Sequence, residues 1–291
     1  MNFAQKLRIL RKQFNFSQER LAEKLSVSRQ AITKWATDGG LPDIENLMAV
    51  AALFSISMDE LLSDEKLARA AAEYAYESVT EYDISRPSRF DIHVPGALEV
   101  VVTVADNEKL RILLASNVLR TLPQDYKVKL DEHRDRLDVD IHRVGKDGEG
   151  KAALFVHISL PARYCENVEL TAVTDALRLS GVASAFEFDG KAKSVYLENV
   201  KGTVALNCSA DMDIHADEMP AVLEVNQISA TSVLNIPRDA VFFTKIKGKS
   251  NSIRFSEDGK PSELPDGAAA EHRVELAGMN AELLIKRSAM K

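Results

Sequence analysis

At 291 residues the chain exceeds the ~100–200 residues usual for one domain, so two folded units and a connector are expected. With 45% apolar and 28% charged residues it holds enough material for ordinary cores, which excludes a disordered chain, and no apolar run approaches the roughly 20 residues that cross a bilayer. The net charge of −7 is unevenly spread: residues 1–34 carry eight basic side chains against Glu19 and Glu23, residues 35–63 carry five acids and no base, and the remaining acidic excess lies beyond.

The opening MNFAQKLRILRKQ lacks the apolar core and small-residue cleavage site of a secretion signal, so a cytoplasmic protein without a membrane partner is expected. Cys165 and Cys208 stand alone, without a CxxC pattern or a nearby histidine pair, and are expected as buried free thiols; neither a disulfide framework nor a zinc site is expected.

Phe3, Leu7, Leu10 and Phe14 recur at the spacings of one helix face. Ser17 can cap a second helix whose apolar face is Leu21, Ala22 and Leu25. Ser26 and Val27 leave a tight connection, after which Ser28 can cap a third helix with Ala31, Ile32 and Trp35 turned inward. Pro42, Gly39 and Gly40 break the chain, and Asp43 leads into Ile44, Leu47, Met48, Ala51 and Leu53. Two short helices meeting at a tight turn are the geometry in which one helix props another in the major groove.

The stretches SQERLAEKLSVSRQAITKW and LPDIENLMAVAALFSISMDELL resemble the Cro/C1-type (XRE) helix-turn-helix family from about Asn2 to Leu62. That resemblance implies a sequence-specific DNA-binding regulator of repressor-like type, with Arg29, Gln30, Thr33 and Lys34 facing base edges and Gln18, Ser28 and Arg11 facing phosphates. The chemistry suits those roles: arginine bridges both acceptors of guanine, glutamine bridges adenine, and Lys34 reaches guanine or phosphate. The chain departs from the family after Trp35, where Ala36 and Asp38 replace the usual acid and glycine. Arg11, the usual partner of that acid, is thereby left for phosphate or for Asp38, and Ser26 replaces the frequent turn glycine.

From Ser63 to Glu81 helix formers dominate, with Leu67, Ala70, Ala71, Tyr74 and Ser78 on one stripe, so a linker helix is expected over residues 64–85. It could pack on either domain or pair with its twin in a dimer. From residue 98 short alternating runs take over and the chain reads as all β. Between Val168 and Leu206 apolar pairs recur every nine residues: Val168 and Leu170, Leu177 and Leu179, Phe186 and Phe188, Val195 and Leu197, Val204 and Leu206. Such a period favours a β-solenoid or roll, with about eighteen residues per coil, over a β-sandwich. The stretches HISLP and VYLENVKGTVALN resemble the adhesin-like DUF4097-type β-repeat domain, which implies an assembly or binding module over about residues 90–288 and assigns no site residues.

The expected organisation is therefore an α+β chain of several domains: residues 1–63 a helix-turn-helix bundle, 64–85 a helical linker, and 86–291 an all-β unit for oligomerisation or for sensing a ligand or partner. Double-stranded DNA carrying an inverted repeat is the expected partner and a homodimer the expected state, because one such module buries too little surface for tight specific binding. Two other readings are an interaction scaffold and a carbohydrate-active solenoid enzyme. Asp138, Asp140 and His142 alternate on one strand face, but Leu137, Val139 and Ile141 between them read as core, leaving the polar set to solvent. No GxSxG, HExxH, Walker or dinucleotide fingerprint occurs, so neither a catalytic centre nor a cofactor is expected.

Overall fold

A computed structural model of the chain describes Phe3, Leu7, Arg8, Leu10, Arg11 and residues 16–36, 42–54, 74–144, 153–264 and 270–287. The chain divides into two compact units, Met1–Tyr74 and Ala75–Lys291.

In the first unit α1 (Gln18–Leu25), α2 (Arg29–Ala36) and α3 (Ile44–Leu53) follow the expected order. Phe3, Leu7 and Leu10 are helical and buried with Leu21, Ala22, Leu25, Ile32, Trp35, Leu47, Val50, Ala51 and Phe54 in one core. Asp43 starts α3 by accepting from the Asn46 N–H at 2.9 Å, which satisfies a donor that the helix leaves open. Phe14 and Asp38 lie outside the described residues.

The expected linker helix does not hold over its second half. Tyr76–Asp83 is a strand, β1, and residues 63–73 lie outside the described residues. Within β1, Tyr76, Ser78, Thr80 and Tyr82 are half-buried while Glu77, Val79, Glu81 and Asp83 are exposed. This alternation, and pairing along its whole length with β4 (Lys109–Ser116), outweigh the helix propensity of the alanines before it. The second unit accordingly begins at Ala75, ahead of the expected boundary after residue 85.

The β unit builds two stacks of strands. The first contains β5 (Tyr126–Glu132), β6 (Arg136–Arg143), β2 (Ser88–His93), the opening halves of β8 (Cys165–Ser180) and β9 (Ala185–Glu198), β10 (Thr203–Asn207), β12 (Val222–Ile228), β17 (His272–Met279) and β14 (Phe242–Ile246). The second contains β1, β4, β7 (Phe155–Pro161), β3 (Ala97–Ala105), the closing halves of β8 and β9, β11 (Asp213–Ala216), β13 (Thr231–Ile236), β18 (Glu282–Arg287), β15 (Ser252–Glu257) and β16 (Lys260–Ser262).

The parallel register reproduces the sequence period. Val168 lies opposite Phe186, Phe186 opposite Val204, and Leu177 opposite Val195, each partner 18 residues along the chain. All of these residues are buried in one apolar cluster that spans the unit. Burying such side chains stabilises by roughly 1.5–3 kcal/mol each relative to exposure. Gly190 lets β9 run close beside β8: its φ is +149°, and a Cβ there would stand 1.8 Å from the Ala172 carbonyl oxygen.

Chain order and stacking order part company at both ends. β2 and β3 lie between β6 and β7 on one side and β8 on the other. Likewise β17 lies between β12 and β14, and β18 between β13 and β15. The last two strands are thus interior.

Outside the first stack, Asp138, Asp91, Glu169 and Glu187 stand in one cross-strand row. Arg136 neutralises Asp138 at 2.6 Å, and Asn207 donates to Glu187 at 2.8 Å while accepting from Asn226 at 2.7 Å. Glu169 accepts a 3.4 Å bond from Asn167 and has like charges on both sides. Since like charges directly opposite are destabilising, Glu169→Gln is expected to raise stability by about 0.2–1 kcal/mol. Urea unfolding checks this; unchanged or lower stability contradicts the repulsive row.

Leu137, Val139 and Ile141 are buried, and Asp138, Asp140 and His142 alternate with them on the outer side. There Asp138 pairs with Arg136 and His133, and Asp140 with His142 at 3.0 Å. Both cysteines are free. Cys208 is buried as expected, whereas Cys165 is only half-buried, and burial pushes its thiol up beside Ser184.

Candidate nucleic-acid interface

The first unit poses α2 by two caps and one strained residue. Ser17 accepts from the Arg20 N–H at 3.1 Å and opens α1. Ser26 ends it in the left-handed conformation, φ +54°, with its N–H directed to the Ala22 and Glu23 carbonyls. Left-handed backbone costs an L residue about 1–2 kcal/mol, which explains why glycine is common at this turn. Ser28 then accepts from the Ala31 N–H at 3.1 Å and starts α2. A serine hydroxyl that accepts in this way also carries one proton to donate.

Along α2 the helical period separates two edges. Ile32, Trp35 and Ala36 are buried, whereas Arg29, Gln30, Thr33 and Lys34 are exposed. The four residues expected to face bases therefore share the outward side. Trp35 is a core anchor, 7% exposed. Ala36 is 3% exposed, so the position after Trp35 where the family pattern has an acid is filled here by a buried apolar side chain.

Gln18 joins this edge from α1: the Thr33 hydroxyl lies 3.4 Å from Gln18 Oε1 and also donates to the Arg29 carbonyl at 3.0 Å. The residue expected on phosphate and the helix expected to read bases are thereby brought together.

Arg11 is placed differently. Its Nη1 donates to the Phe16 carbonyl at 2.7 Å, and its Nε is buried without a hydrogen-bond partner among the described residues. The guanidinium fastens the segment entering α1, a positioning role beside the phosphate contact expected of it. The alternative partner Asp38 lies outside the described residues.

Glu19 was not among the expected site residues. Its Oε1 lies 2.8 Å from Arg29 Nε, joining the start of α1 to the start of α2 with both side chains more than half exposed. The backbone at the α1 N-terminus, the Ser17 hydroxyl, and then the Arg29 and Arg11 charges hold the Glu19 carboxyl below its usual range. At neutral pH it is ionised. The available signal was an acid in the first turn of α1, where the helix dipole favours one.

Residues 7–61 match the family model described as helix-turn-helix. Over 67 residues the chain is 49% identical to the HTH-type transcriptional activator BcrR of Enterococcus faecalis, a stretch covering 23% of this chain and 33% of that protein. The chain thus spans about a third of the length of the curated relative it matches. Among solved structures it is similar to a candidate cell-adhesion protein from Clostridium sporogenes, at 8% identity and a TM-score of 0.37, covering 73% of this chain and 100% of that one. A candidate adhesin from Bacteroides fragilis matches at 8% identity and a TM-score of 0.33, covering 74% and 98%. Neither likeness is close enough to carry function. Among the described residues no helix is long and apolar enough to cross a membrane.

Proposed function

We propose that this chain, whose residues 7–61 match the helix-turn-helix family, is a sequence-specific transcription regulator that reads the major groove with α2. The observation that carries this reading is the split of α2. Ile32, Trp35 and Ala36 seat it on the core, while Arg29, Gln30, Thr33 and Lys34 stand exposed, with Thr33 next to Gln18. Arg29 and Gln30 supply bidentate recognition of guanine and adenine, Lys34 reaches base or phosphate, and Gln18 and the Ser28 hydroxyl fix register on phosphates.

One module of this size binds weakly, so two copies act on an inverted repeat. The β unit joins the copies or receives the signal that alters their spacing. We read it as a solenoid of two-strand coils, a reading supported by the parallel 18-residue steps from Val168 to Val204. The curated relative is named an activator. A regulator bound at its operator acts in either sense according to where the site lies relative to the promoter.

Purified full-length protein mixed with genomic fragments tests this. Footprints are expected to show two half-sites about 10–10.5 base pairs, or a multiple, between centres, with affinity falling steeply as salt rises. No shift of any fragment at low salt, or equal affinity for random and selected fragments, overturns the reading.

A further inference from the structure

An acid stands inside the edge that is to approach DNA. Glu19 Oε1 and Arg29 Nε meet at 2.8 Å across the turn at Ser26, with 54% and 65% of their side chains exposed. An ion pair so open to water contributes little to folding, and a carboxylate beside phosphates works against unspecific attraction. The pair costs general DNA affinity without securing the fold.

Its geometry shows what it gives in return. An arginine side chain offers one N–H at Nε and two at each Nη, in a fixed planar fork. Glu19 approaches the guanidinium at Nε, and the two Nη nitrogens carry four of the five N–H donors of the fork. Those are the donors that meet O6 and N7 of guanine together.

Both ends of the pair are fixed by backbone. Glu19 lies in the first turn of α1, where the helix N-terminus and the Ser17 hydroxyl hold its carboxyl ionised. Arg29 opens α2 directly after the Ser28 cap. Gln18 and Thr33 meet beside them across the same two helices. The relative pose of α1 and α2 therefore sets where the Glu19 carboxylate meets the Arg29 guanidinium.

We propose that Glu19 is a specificity-determining positioning residue, which orients the Arg29 guanidinium toward guanine and withholds it from phosphates. This rests on the reading of α2 as the recognition helix. Glu19 itself need touch no DNA.

The test compares the full-length chain with Glu19→Ala, Glu19→Gln, Arg29→Ala and the pair Glu19→Ala, Arg29→Ala. Each is bound to the selected site, to single-base variants of it and to random DNA. Glu19→Ala is expected to lower the preference for guanine at the base pair read by Arg29 by about two- to fivefold, the scale of one exposed ion pair. Affinity for random DNA is expected to hold or rise, because a negative charge is removed. Glu19→Gln keeps an acceptor for Nε and is expected to retain part of the preference. In the Arg29→Ala background the Glu19 substitution is expected to have no base-specific effect.

Unchanged discrimination in Glu19→Ala overturns the proposal. So does a loss spread equally over all base pairs, or a base-specific effect that persists without Arg29. A gain on the selected site equal to the gain on random DNA also overturns it, by making Glu19 a competitor alone. The ion pair is read separately in DNA-free protein, where Glu19→Gln is expected to shift the Arg29 Nε–H resonance. A shifted resonance in a chain that selects no DNA removes the regulator and this role together while leaving the pair in place; discrimination lost by Glu19→Ala in a chain that selects DNA supports both.

Discussion

Ending the chain after residue 271 is expected to unfold the far end of the β unit, because β17 and β18 are not a tail. β17 pairs with β12 from Val222 to Ile228 and with β14 from Phe242 to Ile246. β18 pairs with β13 from Thr231 to Ile236 and with β15 from Ser252 to Glu257. Val274, Leu276, Leu283 and Ile285 are completely buried between those neighbours. At roughly 1.5–3 kcal/mol apiece they approach the ~5–15 kcal/mol net stability of an ordinary domain. Their loss also takes the parallel partners from β14 and β15, and leaves Lys245 and Lys247 without the buried Glu275 they face. Circular dichroism melting and limited proteolysis of the shortened chain check this. A lowered, broadened transition is expected, with early cleavage between residues 237 and 264. A point variant scales the effect, Leu276→Ala being expected to cost about 2–5 kcal/mol. A shortened chain that melts with the full one would show that the last strands are dispensable.

That insertion also marks where the sequence stops being legible. The recurrence from Val168 to Leu206 is visible because consecutive passes of the chain stack on one another, so neighbours in space are neighbours in sequence. β17 packs on β12 across the intervening residues 229–271, and β2 packs on β6 across residues 94–135, so no local period announces either pairing. β1 was hidden differently. Its Tyr76, Ser78, Thr80 and Tyr82 carry a period of two, but the alanines ahead of it extend a helical pattern into the same window, and only the partner β4 decides between them. The helical unit was more legible because caps and core faces are local: Ser17, Ser28 and Asp43 each bond to an N–H three residues on. The Arg29–Glu19 pair spans the turn at Ser26, and its existence depends on how that turn sets two helix starts against each other. An acid in a first turn is ordinary, and nothing within α1 alone points to its partner.

Arg29→Ala is expected to lower affinity for the selected DNA site by about 1–3 kcal/mol and to relax preference at one base pair. Arginine specifies guanine by donating to two acceptors at once, an arrangement no other base edge offers in the major groove, so the loss must be concentrated at one position. A phosphate contact would behave otherwise. Every sequence carries the same phosphates, and removing one such contact weakens all sites alike and flattens the salt dependence by about one counterion. The two roles therefore differ in pattern even where they agree in size. The substitution leaves the fold out of account, because Arg29 is exposed while Ile32, Trp35 and Ala36 on the other edge of α2 keep their places in the core. Alanine is also a good helix former, so α2 itself is not weakened. An unchanged melting curve is the control for that. Binding of single-base variants of the selected site, repeated at two salt concentrations, gives the answer. A uniform loss with a reduced salt slope would make Arg29 a phosphate contact, and no loss at all would mean that α2 does not enter the groove by this edge.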